Sequence, residues 1–391
     1  MDHFQIERAQ RLSQLPPYLF SEIDKAKRKA IEEGIDIINL GIGDPDMPTP
    51  ENIIRALCDT AANPANHRYP SYEGLLELRH EFSLYMKRRF DVELSPDNEV
   101  LTLIGSKEGI AHLPLALVNP GDFVLIPDPG YPVYRASTVF AGGIPYTFPL
   151  LADNDFLPDF DDIDPQIAER AKLIFLNYPN NPTAAVADRG LFERAVEFAK
   201  KHNIIICQDA AYCELAFDGH RPVSILEAPG GKDVAVEFHS LSKTYNMTGW
   251  RVGFAAGNRD IISALGAVKT NIDSGVFQAV QYAGIAALRT PVNIAADIVS
   301  TYAERRDTLV DGLNSLGWRV PKPKATFYLW VTVPPGYTST ELTTMLLKEA
   351  GIVTTPGIGF GRNGEGYIRM ALTVKKERLA EAVERIKNIR I

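Results

Sequence analysis

The sequence predicts an α/β protein whose larger part is a mainly parallel β-sheet covered by helices on both faces. Between about residues 99 and 290, short runs of Val, Ile and Leu alternate with amphipathic stretches at helical spacing. Strands that are continuously apolar are typical of parallel sheets, because helices bury both faces of such sheets. The length of 391 residues exceeds what one small core needs and leaves room for a second, smaller domain.

Six segments have the composition of buried strands. They are residues 100–104, 123–126, 173–176, 204–207, 234–238 and 252–255. A helix is predicted over residues 106–118, and an Asn-Pro-Gly turn at 119–121 ends it. Leu191, Ala195 and Ala199 recur at helical spacing between the third and fourth strands, which predicts a further helix over the sheet.

The C-terminal part of the chain has a different pattern of predicted helices and strands. It begins with a long charged helix over residues 295–316 and continues with a strand over 327–333. A glycine-rich stretch follows at 354–366, and a final helix begins at Lys375. This mixture predicts a smaller α+β unit beside the sheet.

Composition and charge disfavour several classes of protein. The net charge of −8 at pH 7 and the lack of basic runs argue against a nucleic-acid or anionic-membrane partner. No apolar stretch reaches transmembrane length and the N-terminus lacks the apolar core of a secretory signal, so we expect a cytoplasmic protein. The three cysteines show no metal-ligand spacing, so no metal is expected. A nucleotide-binding GxGxxG after a first strand and a GxxxxGK[ST] loop are both missing.

Polar residues cluster where the predicted strands end. The clusters are Gly105-Ser106-Lys107, residues 128–131, residues 177–183, residues 209–212 and the loop that holds Lys243. The carboxyl ends of parallel strands lie at one edge of a sheet, where loops collect the groups that bind ligands. Packing alone does not explain so many polar groups at equivalent positions, so the sequence predicts a ligand site at this edge.

Lys243 lies in the run His-Ser-Leu-Ser-Lys-Thr-Tyr-Asn-Met-Thr-Gly-Trp-Arg-Val-Gly at residues 239–253. Ser240, Ser242 and Arg251 in the same loop suit a phosphate, and a lysine kept from water can form a Schiff base. A solvated lysine in a serine-rich turn would explain a lone Ser-x-Ser-Lys. The full run resembles the lysine signature of the class I and II aminotransferases, which use pyridoxal 5'-phosphate (PLP).

Asp209 follows the fourth predicted strand and precedes Tyr212 by three positions. An acid there can stabilise the protonated ring nitrogen of a pyridine cofactor, and Tyr212 could bond the phenolic oxygen of the ring. An aspartate that caps a helix or turn is the structural alternative. With Lys243 in the next strand-loop unit, the cofactor role is favoured.

Three more loops carry candidates. Residues 180–183 resemble the Asn-Pro-Thr-Gly segment of the same enzymes, in which Asn181 would bond the phenolic oxygen of the cofactor and the substrate carboxylate. The chain departs from that pattern at Ala184, where glycine is common, so the local backbone geometry is open. Ser106 opens a predicted helix whose N–H groups can meet a phosphate, and Tyr131 is placed to stack on the ring. An Asn-Pro turn, a helix cap and a packed aromatic are the respective structural alternatives.

Arg369 interrupts an otherwise apolar strand at residues 366–372. A buried charge is costly unless it is paired. An internal acid could pair with it, and so could a substrate α-carboxylate gripped by the two-pronged guanidinium. By analogy with the aminotransferases, the carboxylate role is favoured.

Further segments narrow the resemblance. They are residues 15–20 (Leu-Pro-Pro-Tyr-Leu-Phe), 41–46, 67–74, 104–112 and 128–134. Together they resemble the LL-diaminopimelate aminotransferases, and the likeness covers nearly the whole chain.

This resemblance implies fold type I, with a large PLP-binding domain over residues 50–290. A small domain would combine residues 1–49 and 291–391. It also implies a homodimer with shared active sites, in which Tyr69 reaches the cofactor phosphate of the neighbouring subunit. The implied substrate contacts are Tyr18, Gly43, Lys107, Asn181 and Arg369. The cofactor contacts within the subunit would be Ser106, Lys107, Tyr131, Asn181, Asp209, Tyr212, Ser240, Ser242, Lys243 and Arg251.

The implied activity is amino transfer between LL-diaminopimelate and 2-oxoglutarate, which in reverse makes LL-diaminopimelate from tetrahydrodipicolinate and glutamate on the route to lysine. Lys243 would hold PLP as a Schiff base, and kinetics would be ping-pong. An aspartate, alanine or aromatic aminotransferase of the same fold is the nearest alternative, followed by a PLP-dependent C–S lyase. A non-catalytic regulator is disfavoured, since the residues before Gly41 show no helix-turn-helix pattern.

Overall fold

The computed structural model describes residues 6–16 and 19–389, without the side chains of residues 19, 20, 22, 292 and 293. Within this part, the strands are β1 (Ile38–Asn39), β2 (Val100–Leu103), β3 (Phe123–Asp128), β4 (Ile144–Pro149), β5 (Ala171–Asn177), β6 (Ile205–Asp209), β7 (Ala235–Ser240), β8 (Gly253–Gly257), β9 (Tyr328–Thr332), β10 (Ile352–Val353), β11 (Thr355–Pro356) and β12 (Tyr367–Ala371). The helices are α1 (Leu19–Glu32), α2 (Glu51–Ala61), α3 (Leu76–Phe90), α4 (Ser106–Leu117), α5 (Val133–Phe140), α6 (Pro165–Ala168), α7 (Arg189–His202), α8 (Gly231–Val234), α9 (Leu241–Thr244), α10 (Arg259–Ile272), α11 (Gln278–Leu288), α12 (Val292–Ser315), α13 (Ser339–Ala350) and α14 (Lys376–Lys387).

A seven-stranded sheet organises the central part of the described chain. Its strand order is β2-β8-β7-β6-β5-β3-β4. The pairs from β4 to β7 are parallel, whereas β8 runs antiparallel to both β7 and β2. The predicted α/β class with a mainly parallel sheet is confirmed. Strand β4 is an addition to the six predicted strands.

The helices over the sheet follow from local signals as well as apolar spacing. Helix α7 begins after Asp188, whose carboxylate accepts a hydrogen bond from the Leu191 amide at 2.7 Å. It ends at Asn203, which adopts the left-handed conformation (φ 54°) common at helix ends. Its buried face includes Leu191, Ala195 and Ala199, as the spacing predicts.

Two apolar clusters cover the two faces of the large sheet. One contains residues of α2, α3, α7 and α11, and the other contains residues of α4, α5 and α10. Since both faces are buried, the sheet exposes only its edges to ligands. The carboxyl ends of β5, β6 and β7 therefore become the place where buried polar side chains can meet a ligand.

A third apolar cluster lies around the three-stranded sheet β11-β12-β9. It joins residues of α12, α13 and α14 with Ile38 and Leu40, which come from the other end of the chain. Strand β1 pairs with β10 in parallel and so ties the two ends together. The division into domains at residues 50 and 290 stays a prediction.

The tail elements have nearly the predicted bounds. The helix expected over 295–316 is α12, which begins earlier, after Pro291. The strand expected over 327–333 is β9, and Lys375 precedes the final helix as its cap residue. Among the described residues, none of the helices combines the length and apolarity needed to span a bilayer.

Candidate active site

One cavity of about 370 Å³ opens at the carboxyl edge of β5, β6 and β7. Twelve of the residues predicted for the site line it: Gly43, Ser106, Lys107, Tyr131, Asn181, Asp209, Tyr212, Ser240, Ser242, Lys243, Arg251 and Arg369. These residues come from segments that are far apart in sequence, and the fold brings them to one place.

Lys243 projects into this cavity from the short helix α9, directly after β7. Its Nζ donates a hydrogen bond to the Gly43 carbonyl oxygen at 3.2 Å and lies 5.5 Å from the centre of the Phe327 ring. Desolvation lowers the pKa of Lys243 from 10.5 to about 8; the Asp44 carboxylate opposes this shift and Arg251 adds to it. A large fraction of the amine is therefore neutral just above physiological pH, as a nucleophilic or basic lysine requires.

Asp209 ends β6 and is buried, with 6% of its surface exposed. Its Oδ2 accepts a hydrogen bond from the Tyr134 hydroxyl at 2.9 Å, and its Oδ1 accepts one from the Ala211 amide at 3.3 Å. Burial raises the pKa of Asp209 to about 6, although Tyr134 and Ala211 act to lower it. Such an incompletely stabilised carboxylate would gain from a cationic partner such as a protonated pyridine nitrogen.

Donors for a phosphate collect at one end of the cavity. The Ser240 and Ser242 hydroxyls, the Arg251 guanidinium and the start of α4 at Ser106 all lie on its wall. Arg251 itself adopts a left-handed backbone (φ 57°), and its Nη1 donates to the Thr248 carbonyl oxygen at 2.9 Å. Such a grouping of hydroxyls, guanidinium and helix N-terminus suits a phosphate dianion.

Gly105 makes the close approach of Arg251 to this end possible. A Cβ at position 105 would overlap the Arg251 guanidinium, and the backbone there has φ +76°, which favours glycine. The guanidinium lies next to the β2–α4 loop, and its Nη2 donates to the Ile104 carbonyl oxygen at 3.4 Å.

Aromatic side chains form further parts of the wall. The Lys107 Nζ lies 6.0 Å from the centre of the Tyr131 ring, and Tyr131 packs edge-on against Tyr134. The hydroxyls of Tyr212 and Tyr328 are 3.2 Å apart. Burial keeps the pKa of Tyr212 well above its usual value, so this hydroxyl stays protonated and can donate a hydrogen bond.

Arg369 lies on β12 with 1% of its surface exposed. Its Nη1 donates to Asn181 Oδ1 at 2.7 Å and its Nη2 donates to the Gly41 carbonyl oxygen at 2.8 Å. Both acceptors are uncharged, and the guanidinium stacks 4.1 Å from the centre of the Tyr328 ring. These contacts fix the orientation of a buried positive charge at the cavity wall, where a carboxylate could reach it.

The loop around Asn181 has the geometry that a glycine-containing loop would have. Ala184 adopts φ +60°, in the left-handed region that glycine favours, and its amide donates to the Asn180 carbonyl oxygen at 3.0 Å. The amide of Asn181 donates to Asn177 Oδ1 at 2.8 Å, and Asn177 Nδ2 donates to the Asp209 carbonyl oxygen at 2.7 Å. Asn177 therefore links the loop of Asn181 to the strand end that carries Asp209.

The remaining two predicted residues are Tyr69 and Tyr18. Tyr69 is 86% exposed and does not line the cavity, so within this subunit it does not contact the site. Tyr18 lies outside the described residues, so the structure does not describe its position.

Sequence reasoning missed several residues of the cavity wall, namely Asp24, Ile42, Asp44, Ile110, Ala211, Thr248 and Tyr328, and also missed Tyr134 behind it. Tyr134 carried a usable signal, because it follows Tyr131 by three positions at the start of α5 and so lies one helical turn away. Most of the others lay within segments already singled out in the sequence: Ile42 and Asp44 in 41–46, Ile110 in 104–112, Ala211 in 209–212 and Thr248 in 239–253. Asp24 and Tyr328 are neighbours in space only, and no local pattern marks them.

The residues present fit PLP. The buried carboxylate of Asp209 suits a ring nitrogen, the Tyr131 ring can cover a flat aromatic face, and the Lys243 amine can bind an aldehyde carbon. The donors near Ser106 and Arg251 suit the phosphate of the cofactor. A single cavity thus offers a partner for each functional group of PLP.

Comparison with known proteins agrees with this geometry. The family model for class I and II aminotransferases matches residues 35–386. The LL-diaminopimelate aminotransferase of Syntrophobacter fumaroxidans is 56% identical over 382 residues, covering 98% of each chain. That of Aquifex aeolicus is 55% identical over 385 residues, covering 98% of this chain and all of the relative. Among solved structures, substrate-bound BacF of Bacillus subtilis has a TM-score of 0.95 at 40% identity, covering 98% of each chain. An aspartate aminotransferase of Thermus thermophilus with maleate has a TM-score of 0.91 at 26% identity, covering 98% of this chain and 99% of the other.

Proposed function

The chain belongs to the class I and II aminotransferases, which depend on PLP, and on that premise we propose that it transfers the amino group of LL-diaminopimelate to 2-oxoglutarate. The observation that carries amino transfer is the meeting of Lys243, Asp209 and Arg369 in one cavity. The substrate assignment is supported by relatives of that name at 54–56% identity over nearly the full length. In the reverse direction the same reaction makes LL-diaminopimelate for lysine biosynthesis.

The assignment of individual residues to cofactor and substrate is part of this proposal. When bound, PLP supplies a conjugated ring that accepts the electron pair left on the substrate Cα once that carbon loses its proton. Asp209 holds a proton on the ring nitrogen, and Tyr212 donates a hydrogen bond to the phenolic oxygen. Ser106, Ser240, Ser242 and Arg251 bind the phosphate; Tyr131, Lys107 and Asn181 complete the cofactor contacts.

Lys243 serves in turn as the attachment point and as the base. A free Lys243 Nζ would take the proton from the substrate Cα, because a pKa of about 8 leaves much of the amine neutral. Arg369 binds the α-carboxylate and, with Asn181 and Gly43, orients the Cα–H bond towards that amine. Lys107 and Tyr18 contact the remainder of the substrate. Because the first keto acid leaves before the second binds at the same Arg369, we expect ping-pong kinetics.

A panel of amino donors with 2-oxoglutarate tests the substrate. We expect kcat/KM for LL-diaminopimelate to exceed that for aspartate, alanine and aromatic amino acids by at least about 100-fold, since those acids lack the second ammonium and carboxylate pair. A higher value for any of these acids contradicts the substrate assignment and leaves amino transfer intact. Release of pyruvate and sulfide from cysteine-type substrates would instead indicate a C–S lyase.

We also propose a homodimer with shared active sites. Support comes from Tyr69, which is largely exposed, and from exposed apolar side chains near it, Tyr72, Leu76 and Phe277. An exposed cluster of large apolar and aromatic side chains is typical of an interface. Tyr69 of one subunit would then donate to the cofactor phosphate of the other. Sedimentation velocity tests the dimer: a monomer at micromolar concentration would contradict it.

A large domain over residues 50–290 and a small domain from the two chain ends complete the proposal. The third apolar cluster supports this division, because it joins Ile38 and Leu40 with the elements after residue 291. A cytoplasmic location remains our expectation for an enzyme of amino-acid biosynthesis.

A further inference from the structure

Lys269 is a buried cation that neither the fold nor the proposed reaction explains by itself. It lies on α10 with 1% of its surface exposed. Its Nζ is 2.6 Å from Asp273 Oδ1 and 3.9 Å from Glu108 Oε2. A lysine is rarely buried to this degree, and here its ammonium lies between two carboxylates that belong to different elements.

Glu108 holds the loop that presents Ser106. Its Oε2 accepts a hydrogen bond from the Ile104 amide at 3.0 Å, and its Oε1 is 2.7 Å from His112 Nδ1. Ile104 and Glu108 flank Gly105, Ser106 and Lys107, so this carboxylate closes the β2–α4 loop across its base. The position of Glu108 therefore determines where the start of α4 points its N–H groups.

Asp273 holds a different loop. Its Oδ1 accepts a hydrogen bond from the Gly275 amide at 2.8 Å as well as from Lys269. Gly275 has φ +85° and packs against the chain at Pro70 and Ser71: a Cβ there would lie 3.1 Å from Pro70 Cγ and 3.2 Å from the Ser71 carbonyl oxygen. This segment begins directly after Tyr69.

The nearby residues of α11 reinforce the same contact. The Gln278 side chain donates to the Arg68 carbonyl oxygen at 3.2 Å, and the rings of Phe277 and His67 are 6.2 Å apart. The segment on either side of Tyr69 is thus held by the chain that follows Asp273. Lys269 connects this arrangement to the loop of Ser106 through one ammonium group.

Three side chains of this region have the composition of a metal site. Donor atoms of Glu108, His112 and Asp273 all lie within 4.8 Å of one another. The Lys269 ammonium already lies beside both carboxylates, 2.6 Å from Asp273 Oδ1 and 3.9 Å from Glu108 Oε2, so we assign the cluster to this lysine.

We propose that Lys269 is a positioning residue that sets two of the proposed phosphate contacts: the start of α4 at Ser106 in its own site and the Tyr69 segment given to the partner's site. This inference rests on the proposed shared homodimer. Without the ammonium, Glu108 and Asp273 face each other as two carboxylates and separate. The β2–α4 loop then shifts, and so does the loop at Gly275, which holds the Tyr69 segment. Both phosphate contacts are weakened as a result.

The test measures cofactor affinity of the folded apoprotein by absorbance or fluorescence titration with PLP, for wild type and Lys269→Met. We expect the dissociation constant to rise about tenfold or more, as when groups that orient direct ligands are removed. Lys200→Met is the matched control, since it removes a surface ion pair with Asp233 at 2.8 Å. If Lys269→Met fails to fold, Asp273→Asn weakens the same ion pair while keeping an acceptor for Gly275, and the same direction is expected. An unchanged dissociation constant in a folded variant overturns the proposal.

A double-mutant cycle with Tyr69→Phe tests the second part of the proposal, the effect of Lys269 on the Tyr69 segment. If Lys269 acts partly through the Tyr69 segment, the double variant loses less affinity than the product of the two single losses. Losses that multiply overturn the link to Tyr69. Sedimentation of the wild-type protein distinguishes failure of the proposed dimer from failure of the role of Lys269. A monomer refutes the dimer. A dimer in which Lys269→Met binds PLP normally refutes only the role of Lys269.

Discussion

Two buried carboxylates on neighbouring strands differ in how completely the protein stabilises them. Glu237 on β7 has no exposed surface, and it accepts hydrogen bonds from Ser224 Oγ at 2.9 Å and the Ile225 amide at 2.9 Å and contacts His239 Nε2 at 2.7 Å. Asp209 on β6 accepts hydrogen bonds only from the Tyr134 hydroxyl and the Ala211 amide among the described residues. The first carboxylate is paired with a cation inside the fold, whereas the second faces a cavity.

The pKa values express this difference. Burial alone would lower the pKa of His239, but Cys213 and Glu237 together raise it to about 10, so the imidazole is cationic at neutral pH. For Asp209, burial prevails over its hydrogen bonds and raises the pKa to about 6. A fully compensated buried charge is costly to the fold only when its partner is removed, whereas a partly compensated one is available to a ligand. The following variants separate these two cases.

Lys243→Ala has the largest expected effect and should separate function from stability. Transamination should fall by at least about 10⁴-fold, because the variant loses both the covalent attachment and the base. The unfolding free energy of the apoprotein should stay within about 1 kcal/mol of wild type, since loss of the Gly43 hydrogen bond and the Phe327 ring contact is offset by removal of a desolvated amine. Borohydride reduction and peptide mapping should label Lys243 in the wild-type protein; labelling of a different lysine would refute the assignment.

Glu237→Gln should act on stability. The change leaves the His239 cation without its buried carboxylate, so we expect a loss of roughly 3–5 kcal/mol in the free energy of unfolding at pH 6. Because the folded pKa of His239 is raised, its contribution is complete below about pH 6.5 and disappears as the pH rises towards 10. The deficit should therefore shrink over that range in denaturant titrations. Glu193→Gln, at an exposed pair with Arg189, serves as control and should change little.

Asp209→Asn should have the opposite signature. Since its folded pKa is raised from 3.8 to about 6, ionised Asp209 destabilises the apoprotein above pH 6 and has no such effect below pH 4. The variant should therefore be more stable than wild type at pH 8, by roughly 2–3 kcal/mol, and equal to it at pH 4. Its transamination should fall by at least about 100-fold. Equal stability at pH 8 would show that Asp209 is as well compensated as Glu237.

Tyr134→Phe should have the smallest effect. Loss of the hydrogen bond to Asp209 should raise the pKa of that carboxyl further in the apoprotein and cost about 1 kcal/mol, so the affinity of the apoprotein for PLP should fall about fivefold near pH 6. The loss should be smaller at pH 8, where Asp209 is ionised in both proteins. Tyr302→Phe, at a fully buried tyrosine in the third apolar cluster, is the control. A uniform loss at all pH values would argue for packing and against support of the carboxylate.

Much of the fold followed from the sequence because its strands are short, apolar and bounded by turns. The six predicted strands correspond to β2, β3, β5, β6, β7 and β8. Strand β4 escaped prediction because, at the sheet edge, Ile144–Pro149 is largely exposed and contains two prolines. The antiparallel direction of β8 was also invisible, since a buried apolar run looks the same in either direction.

The site was predictable where chemistry is concentrated in one loop, as at Lys243, Ser242 and Arg251. Partners brought together from distant segments were not. Tyr134 meets Asp209 across 75 positions and Lys269 meets Glu108 across 161, and neither pair has a local pattern. Such contacts depend on the three-dimensional course of the chain, which spacing within a single element does not report.

The absence of a side chain at Gly43 affects the shape of the whole pocket. Its carbonyl receives the Lys243 hydrogen bond, and a Cβ at this position would overlap the Tyr328 ring, although its backbone conformation would itself permit an alanine. Tyr328 in turn touches the Tyr212 hydroxyl and lies beneath the Arg369 guanidinium. A single methyl group at position 43 would therefore be transmitted through one ring to the groups proposed for the cofactor and for the substrate. Among related chains, the size of the residue at this position should report whether the pocket has kept its shape.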